Sequence, residues 1–342
     1  MARHTASFSY NVLVAYLALV QASYASDAVY LAYVLNPIRF FEVFFWYYLS
    51  LALSRIAYGY LLDVVSGGYL LRASLAMQIA ASALTGFSDD YVALSIGRLL
   101  GGIATSAMMV GVLEGSTHPH FRRLYGLTEL AMAAGFLSAY IIPRPLAYSI
   151  YIALAALFLP IKTRGARAGF KPTISRRIVP VAISEFFLNM GLALTVPVAL
   201  KISAGESLLP IALSAAVLIR ALAQLIARVE LGAGEIAAFR LVEALLLYSL
   251  SALRGIHALL VYLVVNIIAG VYRASVGLII RRSAERGGDL GFHYFLRDVG
   301  AFTGTVLGIY APGTIFAAIA AAYSLSALVL VVIKPGRAAI AP

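Results

Sequence analysis

Long apolar stretches alternate with short polar or helix-breaking clusters along the whole chain. Most of these stretches reach the roughly 20 residues that a helix needs to cross a hydrocarbon core of about 30 Å. The clusters that separate them are Asn36-Pro37, Ser66-Gly67-Gly68, Ser88-Asp89-Asp90, His118-Pro119-His120, Pro143-Arg144-Pro145, Lys162 to Arg177, Ala204-Gly205-Glu206, Gly232-Ala233-Gly234, Arg254-Gly255, Gly287-Gly288-Asp289 and Pro312-Gly313. The pattern predicts an all-α, polytopic membrane protein with twelve transmembrane helices. Ten or eleven spans stay open, because the ninth segment carries Arg240 and Glu243.

The composition agrees with this pattern and removes other classes of protein. Of the 342 residues, 62% are hydrophobic and only 12% are charged, and the mean hydropathy is +0.92. Soluble chains are about 45–50% apolar and about 25% charged. A soluble globule, a disordered chain and a collagen-like fibre are therefore excluded. The chain has no cysteine, so disulfides and Cys-based metal sites are absent, and we expect no cofactor.

The net charge of +11 raises the question of a nucleic-acid partner. If the N-terminus is cytoplasmic, sixteen Lys and Arg residues fall in inner segments, four fall in outer loops and six fall within spans. Such a bias towards the inner side sets membrane orientation. It predicts a multi-pass protein of the cell membrane with both termini in the cytoplasm and no role for nucleic acid. Residues 8–35 are too long for a signal-peptide core and are predicted to be a retained first helix.

The only long hydrophilic connection divides the chain into two similar halves. We expect a first half at 1–161, a cytoplasmic loop at 162–177 and a second half at 178–342. Transporters are often built from such repeats. Two matches occur at the six-span offset: Arg55 and Arg220 each precede a glycine by twelve residues (Gly67 and Gly232), and Glu129 and Asp298 each precede a glycine by six (Gly135 and Gly304).

At these residues the chain resembles the major facilitator superfamily of secondary transporters. The segment Gly59-Tyr60-Leu61-Leu62-Asp63 fits the family pattern between the second and third spans, with the next glycine one position late, at Gly67. Arg98-Leu99-Leu100-Gly101-Gly102 fits the pattern of the fourth span. The resemblance implies two pseudo-symmetric six-helix bundles, a monomer, a small solute moved by alternating access, and a structural or gating role for Asp63. The Gly-Pro motif of drug antiporters is missing, which disfavours a drug exporter.

Placing an ionisable side chain within a membrane span costs free energy, so each such residue needs a structural or functional explanation. Arg98 either binds an anionic solute, or answers a protonating carboxylate, or forms a structural ion pair. Glu185 and Asn189 share a helix face, and Glu185 is either a proton site or a hydrogen-bonded acid. Asn266 and Arg273 form a similar pair, unless Arg273 extends to the inner surface. Arg98 and Arg273 together point to an anionic group on the solute.

Three further acids have simpler expected roles. Asp27 either gates the outer mouth by pairing with a cation or marks the interface. We expect Glu129, near the inner end of the fifth span, to pair with Arg122 or Arg123. Arg240 and Glu243, three residues apart, are expected to satisfy each other.

Other classes of membrane protein were weighed against a transporter. The phosphate-binding loop of ATP-driven pumps does not occur in the sequence. Asp89-Asp90, in a predicted outer loop, raises the alternative of a membrane-embedded enzyme acting on lipid-linked phosphates through a metal. No second acidic cluster supports that alternative, and a solvated turn explains the two acids. The sequence therefore favours a secondary transporter, coupled to protons or to another gradient, over an enzyme.

Overall fold

The computed structural model describes residues 10–35, 37–65, 67–109, 121–160, 174–194, 209–227, 230–285, 287–310 and 314–332. Its regular elements in these ranges are twelve helices: α1 (Tyr10–Val34), α2 (Pro37–Val64), α3 (Gly67–Phe87), α4 (Tyr91–Ser106), α5 (Phe121–Ile141), α6 (Arg144–Phe158), α7 (Ile178–Leu194), α8 (Leu209–Ile226), α9 (Ala233–Ser249), α10 (Gly255–Ser283), α11 (Gly287–Tyr310) and α12 (Ile315–Val332). The predicted all-α class and the count of twelve are confirmed, and the doubtful ninth segment is a helix.

The helices form two six-helix bundles with the same internal packing. In the first bundle α1 packs against α5, α2 against α4, and α3 against α6. The second bundle repeats these contacts six helices later, with α7 against α11, α8 against α10, and α9 against α12. The bundles join through α2 with α11 and α5 with α8, two contacts that exchange under the same six-helix shift. The predicted pseudo-symmetry is therefore present in the packing.

The breaker residues act locally as their chemistry requires. The Asp90 carboxylate caps α4 by accepting from the backbone N–H of Ala93 at 2.8 Å. Gly255, at the turn into α10, has a φ of +58°, a conformation that side chains other than glycine rarely adopt. Of the predicted central loop, residues 162–173 lie outside the described ranges, so the domain boundaries stay a prediction.

Apolar side chains cover much of the outside of the bundles. Ile226, Leu157 and Leu245 are about three-quarters exposed, at 75%, 74% and 72%. Among the described helices, Gly67–Phe87 and Gly255–Ile280 are long and apolar enough to cross a membrane on length and composition alone. The other helices carry charged residues or are shorter, and many of these charges are buried between helices. An apolar exterior around a partly polar interior is the arrangement that lipid favours.

Candidate functional site

A balanced ion pair lies inside the first bundle. Arg98 on α4 donates from Nη1 to Asp27 Oδ2 on α1 and from Nη2 to the Thr85 hydroxyl at 2.9 Å. The second oxygen of Asp27 accepts from the Tyr148 hydroxyl on α6. The Arg98 and Asp27 side chains are 1% and 2% exposed. Of the interpretations open for Arg98, the structural ion pair fits this geometry, and Asp27 has the cation partner expected of it.

A second polar cluster lies inside the second bundle, around Arg240 on α9. Its Nη2 donates to Glu185 on α7, and its Nη1 donates to the hydroxyls of Ser184 and Ser326, each at 2.6 Å. Glu185 is thus ion-paired rather than isolated. Asn189, predicted to share the site, donates to the backbone carbonyl of Glu185 at 2.8 Å instead.

The expected pairing of Arg240 with Glu243 is wrong, because Arg240 pairs with Glu185 on another helix. Glu243 is 1% exposed, and its Oε2 accepts from the Tyr272 hydroxyl at 2.7 Å. Its Oε1 is buried and has no hydrogen-bond partner among the described residues. The cluster therefore holds two carboxyl groups for one guanidinium, with the Arg240 guanidinium also 5.7 Å from the Tyr272 ring centroid.

One ion-paired group joins the two bundles where α2 meets α11. Arg55 Nε donates to Asp298 Oδ2 at 3.1 Å, and Arg55 Nη1 donates to the carbonyl of Ser106 at 3.2 Å. Arg297 contacts the other oxygen of Asp298, from Nε at 3.3 Å and from Nη2 at 3.2 Å. Both guanidinium groups lie 4.9 Å from the Tyr294 ring centroid. One buried carboxylate thus serves two arginines.

The related group joins the bundles where α5 meets α8. Glu129 Oε2 accepts from Arg220 at 2.5 Å (Nη2) and 3.1 Å (Nε), and Glu129 Oε1 lies 3.0 Å from Arg273 Nη1 on α10. Arg220 also donates to Asn266 Oδ1 at 3.3 Å. Again one carboxylate serves two arginines.

These contacts correct the expectation for Glu129 and bring two predicted residues together. Glu129 pairs across the bundle interface rather than with the neighbouring Arg123, which is exposed, and the side chain of Arg122 lies outside the described part. Asn266 and Arg273 do share a site, but they meet through Arg220 and Glu129. Arg273 is ion-paired and does not simply extend to the membrane surface.

The two inter-bundle groups are related by the internal repeat. Arg55 and Glu129 of the first half pair with Asp298 and Arg220 of the second half, so each repeat supplies one cation and one acid. The glycines that follow the acids behave alike. A Cβ at Gly135 would collide with the backbone of Ala22 on α1, and a Cβ at Gly304 would collide with the backbone of Met190 on α7.

The motif residues at the end of α2 contact the start of α11. The Asp63 carboxylate accepts from the backbone N–H of Gly287 at 3.0 Å and of Gly288 at 3.3 Å. A carboxylate is favoured at a helix N-terminus. A Cβ at Gly59 would lie 2.7 Å from the Gly291 Cα, so the two helices approach at van der Waals distance here. Asp63 therefore braces one end of the bundle interface.

The other two motif glycines have packing roles. Gly67 is the first residue of α3. Gly102 on α4 faces α2, and a Cβ there would meet the carbonyl of Tyr47 and the hydroxyl of Ser50. Small residues at such positions let helices pack closely in membranes.

The acids proposed for an enzyme site have structural partners. Asp90 caps α4, and Asp89 accepts from Arg144 Nη1 on α6 at 2.5 Å with 79% of its side chain exposed. The described residues contain no group of three metal-ligating side chains that could hold an ion. A solvated turn accounts for both acids.

Three polar residues in or near these groups were not singled out from the sequence. Arg297 stands next to Asp298, and the sequence does not show that the two lie in a buried ion-paired group. Tyr272 is one tyrosine among 21, with no feature to mark it. His293 on α11 is 0% exposed, and in the part of the chain that the structure describes neither ring nitrogen has a hydrogen-bond partner. The one available signal is their position within apolar segments.

The chain is similar to known proteins in its fold, but the sequence comparisons found no match. Neither a protein-family sequence model nor a curated protein matches the chain. Among solved structures, a bacterial homologue of the iron transporter ferroportin in an outward-facing state matches with a TM-score of 0.69 and 12% identity, over 94% of this chain and 98% of that one. The proton:xylose symporter XylE, of the major facilitator superfamily, matches with a TM-score of 0.69 and 12% identity, over 94% and 93%. The chain thus has the twelve-helix fold of these membrane transporters.

Proposed function

We propose that the protein is a secondary active transporter that moves a small solute across the cell membrane by alternating access, coupled to protons. One observation carries the proposal: two repeat-related ion pairs, Arg55 with Asp298 and Arg220 with Glu129, are buried where the bundles meet. Alternating access rocks one repeat against the other around a central site. Paired charges that can separate and re-form at this interface suit such a motion.

The contacts at the end of α2 supply one gate of this cycle. Asp63 and Gly59 bind α2 to the start of α11, so the interface is closed at that end. By the distribution of basic residues this is the cytoplasmic end, with both chain termini on the same side. An inward-open state then requires the Asp63 carboxylate to leave the backbone N–H groups of Gly287 and Gly288.

Proton coupling is assigned to the cluster of Glu185, Arg240 and Glu243. Two buried carboxyl groups lie in a cluster with one guanidinium, which pairs with Glu185, and an unpaired buried charge is costly. A proton on one of the two acids removes this imbalance. Glu243, whose Oε1 has no partner, is the acid best arranged to hold it, and Glu185 exchanges it when the Arg240 pair opens.

The proposal also includes the features expected from the sequence. The halves at 1–161 and 178–342 act as the two moving units, connected by the cytoplasmic loop at 162–177. The protein works as a monomer in the bilayer, with no cofactor, no nucleic acid and no catalytic role. The alternative enzyme at Asp89 and Asp90 is not favoured, because one acid caps a helix and the other pairs with Arg144.

Solute uptake into proteoliposomes with an imposed pH gradient tests the proposal. The solutes include xylose and ferrous iron, named for the structural neighbours, together with amino acids, organic acids and inorganic phosphate. We expect gradient-dependent accumulation of one solute class. The Asp89→Asn/Asp90→Asn variant serves as control and should transport normally, whereas an enzyme that used these acids would lose its activity.

A further inference from the structure

The interface contains a group of polar side chains at mid-depth in the bundles. Tyr24 is the fifteenth of 25 residues in α1, Tyr48 the twelfth of 28 in α2, and Arg297 the eleventh of 24 in α11. The Tyr24 and Tyr48 hydroxyls lie 3.1 Å apart. Tyr48 lies on α2, which packs against α11 and carries Arg55, the partner of Asp298. Both bundles therefore contribute to one group halfway along the helices.

The charge of this group is unbalanced. Asp298 is the only acid in direct contact with Arg55 and Arg297 in the described residues, so two cations share one anion. The nearby Glu185 is itself paired with Arg240, and that cluster is neutral with the proton that we assign to Glu243. A net charge of +1 then remains on the group of Arg55, Arg297 and Asp298, in a segment where an uncompensated charge is expensive.

Arg297 is the member of the group that a solute can reach. Its side chain is 30% exposed, whereas Arg55 is 2% exposed and Asp298 is 4% exposed. Asp298 takes its Nε and Nη2, and in the described part of the chain Nη1 makes no hydrogen bond. Arg297 lies on α11, which packs against α2 of the first bundle and α7 of the second, so it is carried by a helix at the junction of the two bundles.

We infer that this group binds the transported solute through an oxyanion, and that the solute is a small monovalent carboxylate. This inference rests on the proposed transport function and assigns its substrate class. Arg297 supplies the free guanidinium edge, which matches the planar geometry of a carboxylate. The hydroxyls of Tyr24 and Tyr48 supply further donors from the opposite bundle. One negative charge on the solute brings the group to neutrality, whereas a neutral sugar or a metal cation leaves or increases the imbalance.

The site also gives a reason for the bundles to close on the solute. Its donors come from α1 and α2 on one side and α11 on the other, so a bound carboxylate is contacted fully only when the bundles approach. Binding at a repeat interface near the bilayer midplane is the arrangement expected of transporters. Binding of the carboxylate to Arg297 would therefore favour the conformation in which the two bundles are close together.

Uptake and solid-supported-membrane currents with acetate, lactate, inorganic phosphate and xylose test the inference. We expect currents and uptake with the monocarboxylates. Arg297→Gln should weaken them by about 10-fold to 100-fold, the loss of one charge-assisted hydrogen bond, and Arg297→Lys should retain part. Tyr24→Phe and Tyr48→Phe should each weaken them by about 3-fold to 10-fold.

A control variant separates this site from general effects of removing a cation. Arg254→Gln removes an exposed arginine whose hydrogen-bond partners in the described residues are backbone carbonyls. It should leave monocarboxylate affinity within about 3-fold, below the loss expected from one hydrogen bond to a charged group. If Arg297→Gln folds poorly, the two tyrosine variants provide the same test.

The outcomes distinguish the substrate class from the transport function. Accumulation of xylose, a cation or phosphate without any monocarboxylate signal overturns the substrate class and leaves transport standing. Monocarboxylate transport that Arg297→Gln, Tyr24→Phe and Tyr48→Phe all leave unchanged overturns the assigned site. The absence of movement for every solute class contradicts the proposed function itself.

Discussion

The two bundles share a fold but differ in the charge balance of their buried interiors. In the first bundle Asp27 and Arg98 match one to one, and both carboxylate oxygens have donors. In the second bundle Arg240 pairs with Glu185 alone, and Glu243 Oε1 has no hydrogen-bond partner in the described residues. The guanidinium Nε is unpartnered in both Arg98 and Arg240, so the difference lies in the acids.

This difference distinguishes an ion pair that stabilises its bundle, here called the brace, from a cluster that can bind a proton or a solute. A balanced pair with all its carboxylate oxygens satisfied has nothing to gain from a proton or a solute, and its removal exposes an uncompensated charge. An unbalanced cluster can be completed by a ligand that changes its charge. We therefore assign the Asp27–Arg98 pair to the stability of the first bundle and the Glu185–Arg240–Glu243 cluster to coupling.

The largest expected effect is on the brace. Asp27→Asn leaves Arg98 buried without its counter-ion, and we expect a loss of about 3–5 kcal/mol in the free energy of unfolding. Unfolding of the purified protein in detergent, followed by circular dichroism against denaturant, measures this loss. A loss below about 1 kcal/mol, the level of an exposed pair, would show that the pair is not a brace.

The second prediction concerns the coupling cluster, where stability and function should respond differently. Glu243→Gln keeps an acceptor for the Tyr272 hydroxyl and removes the titratable group. We expect the free energy of unfolding to change by less than about 1 kcal/mol. Solute uptake driven by a pH gradient should fall to the level seen without a gradient. Equal losses of stability in Glu243→Gln and Asp27→Asn would contradict the claim that only the Asp27–Arg98 pair serves mainly to stabilise its bundle.

A third prediction tests whether the two bundles pack their helices in the same way. Gly135→Ala and Gly304→Ala each force a methyl group against the backbone of a packed helix, and each should cost about 1–3 kcal/mol. Their effects on unfolding in detergent should agree because the repeat places them equivalently. Gly234→Ala is the control, since nothing lies within 4 Å of its Cβ position. Unequal costs would indicate that the two bundles pack differently.

The smallest expected effect is at the exposed pair of Asp89 and Arg144. Asp89 is 79% exposed, so Asp89→Asn should change the free energy of unfolding by about 0–1 kcal/mol. The same unfolding titration measures it beside Asp27→Asn. A loss as large as that of the buried pair would contradict the argument that burial decides the cost.

The sequence predicted the repeat but not how its members meet. The equal spacing of Arg55 and Arg220 before glycines, and of Glu129 and Asp298 before others, identified equivalent positions. Each arginine turned out to pair with the acid of the other repeat, in contacts that join residues 243 and 91 positions apart. Such pairs depend on how the bundles dock, and helix periodicity carries no information about docking.

The two ion pairs that were predicted wrongly were both predicted between residues close in sequence. Glu129 with Arg122 or Arg123, and Arg240 with Glu243, were chosen because they are close in sequence. In a membrane interior the strongest partner is the one that a neighbouring helix brings to the same depth, and here those partners are Arg220 and Glu185. Arg297 does contact its sequence neighbour Asp298, but the sequence does not show that Asp298 also serves Arg55.

The central claim is that the unbalanced cluster of the second bundle couples solute movement to protons. Its most direct test is the internal pH of proteoliposomes, read with a trapped pH-sensitive dye while a transported solute is added outside. We predict a solute-dependent pH change in the wild type, its loss in both Glu243→Gln and Glu185→Gln, and its retention in Asp89→Asn. An undiminished pH change in the two glutamate variants, or none in a wild-type protein that transports the solute, would contradict proton coupling by this cluster.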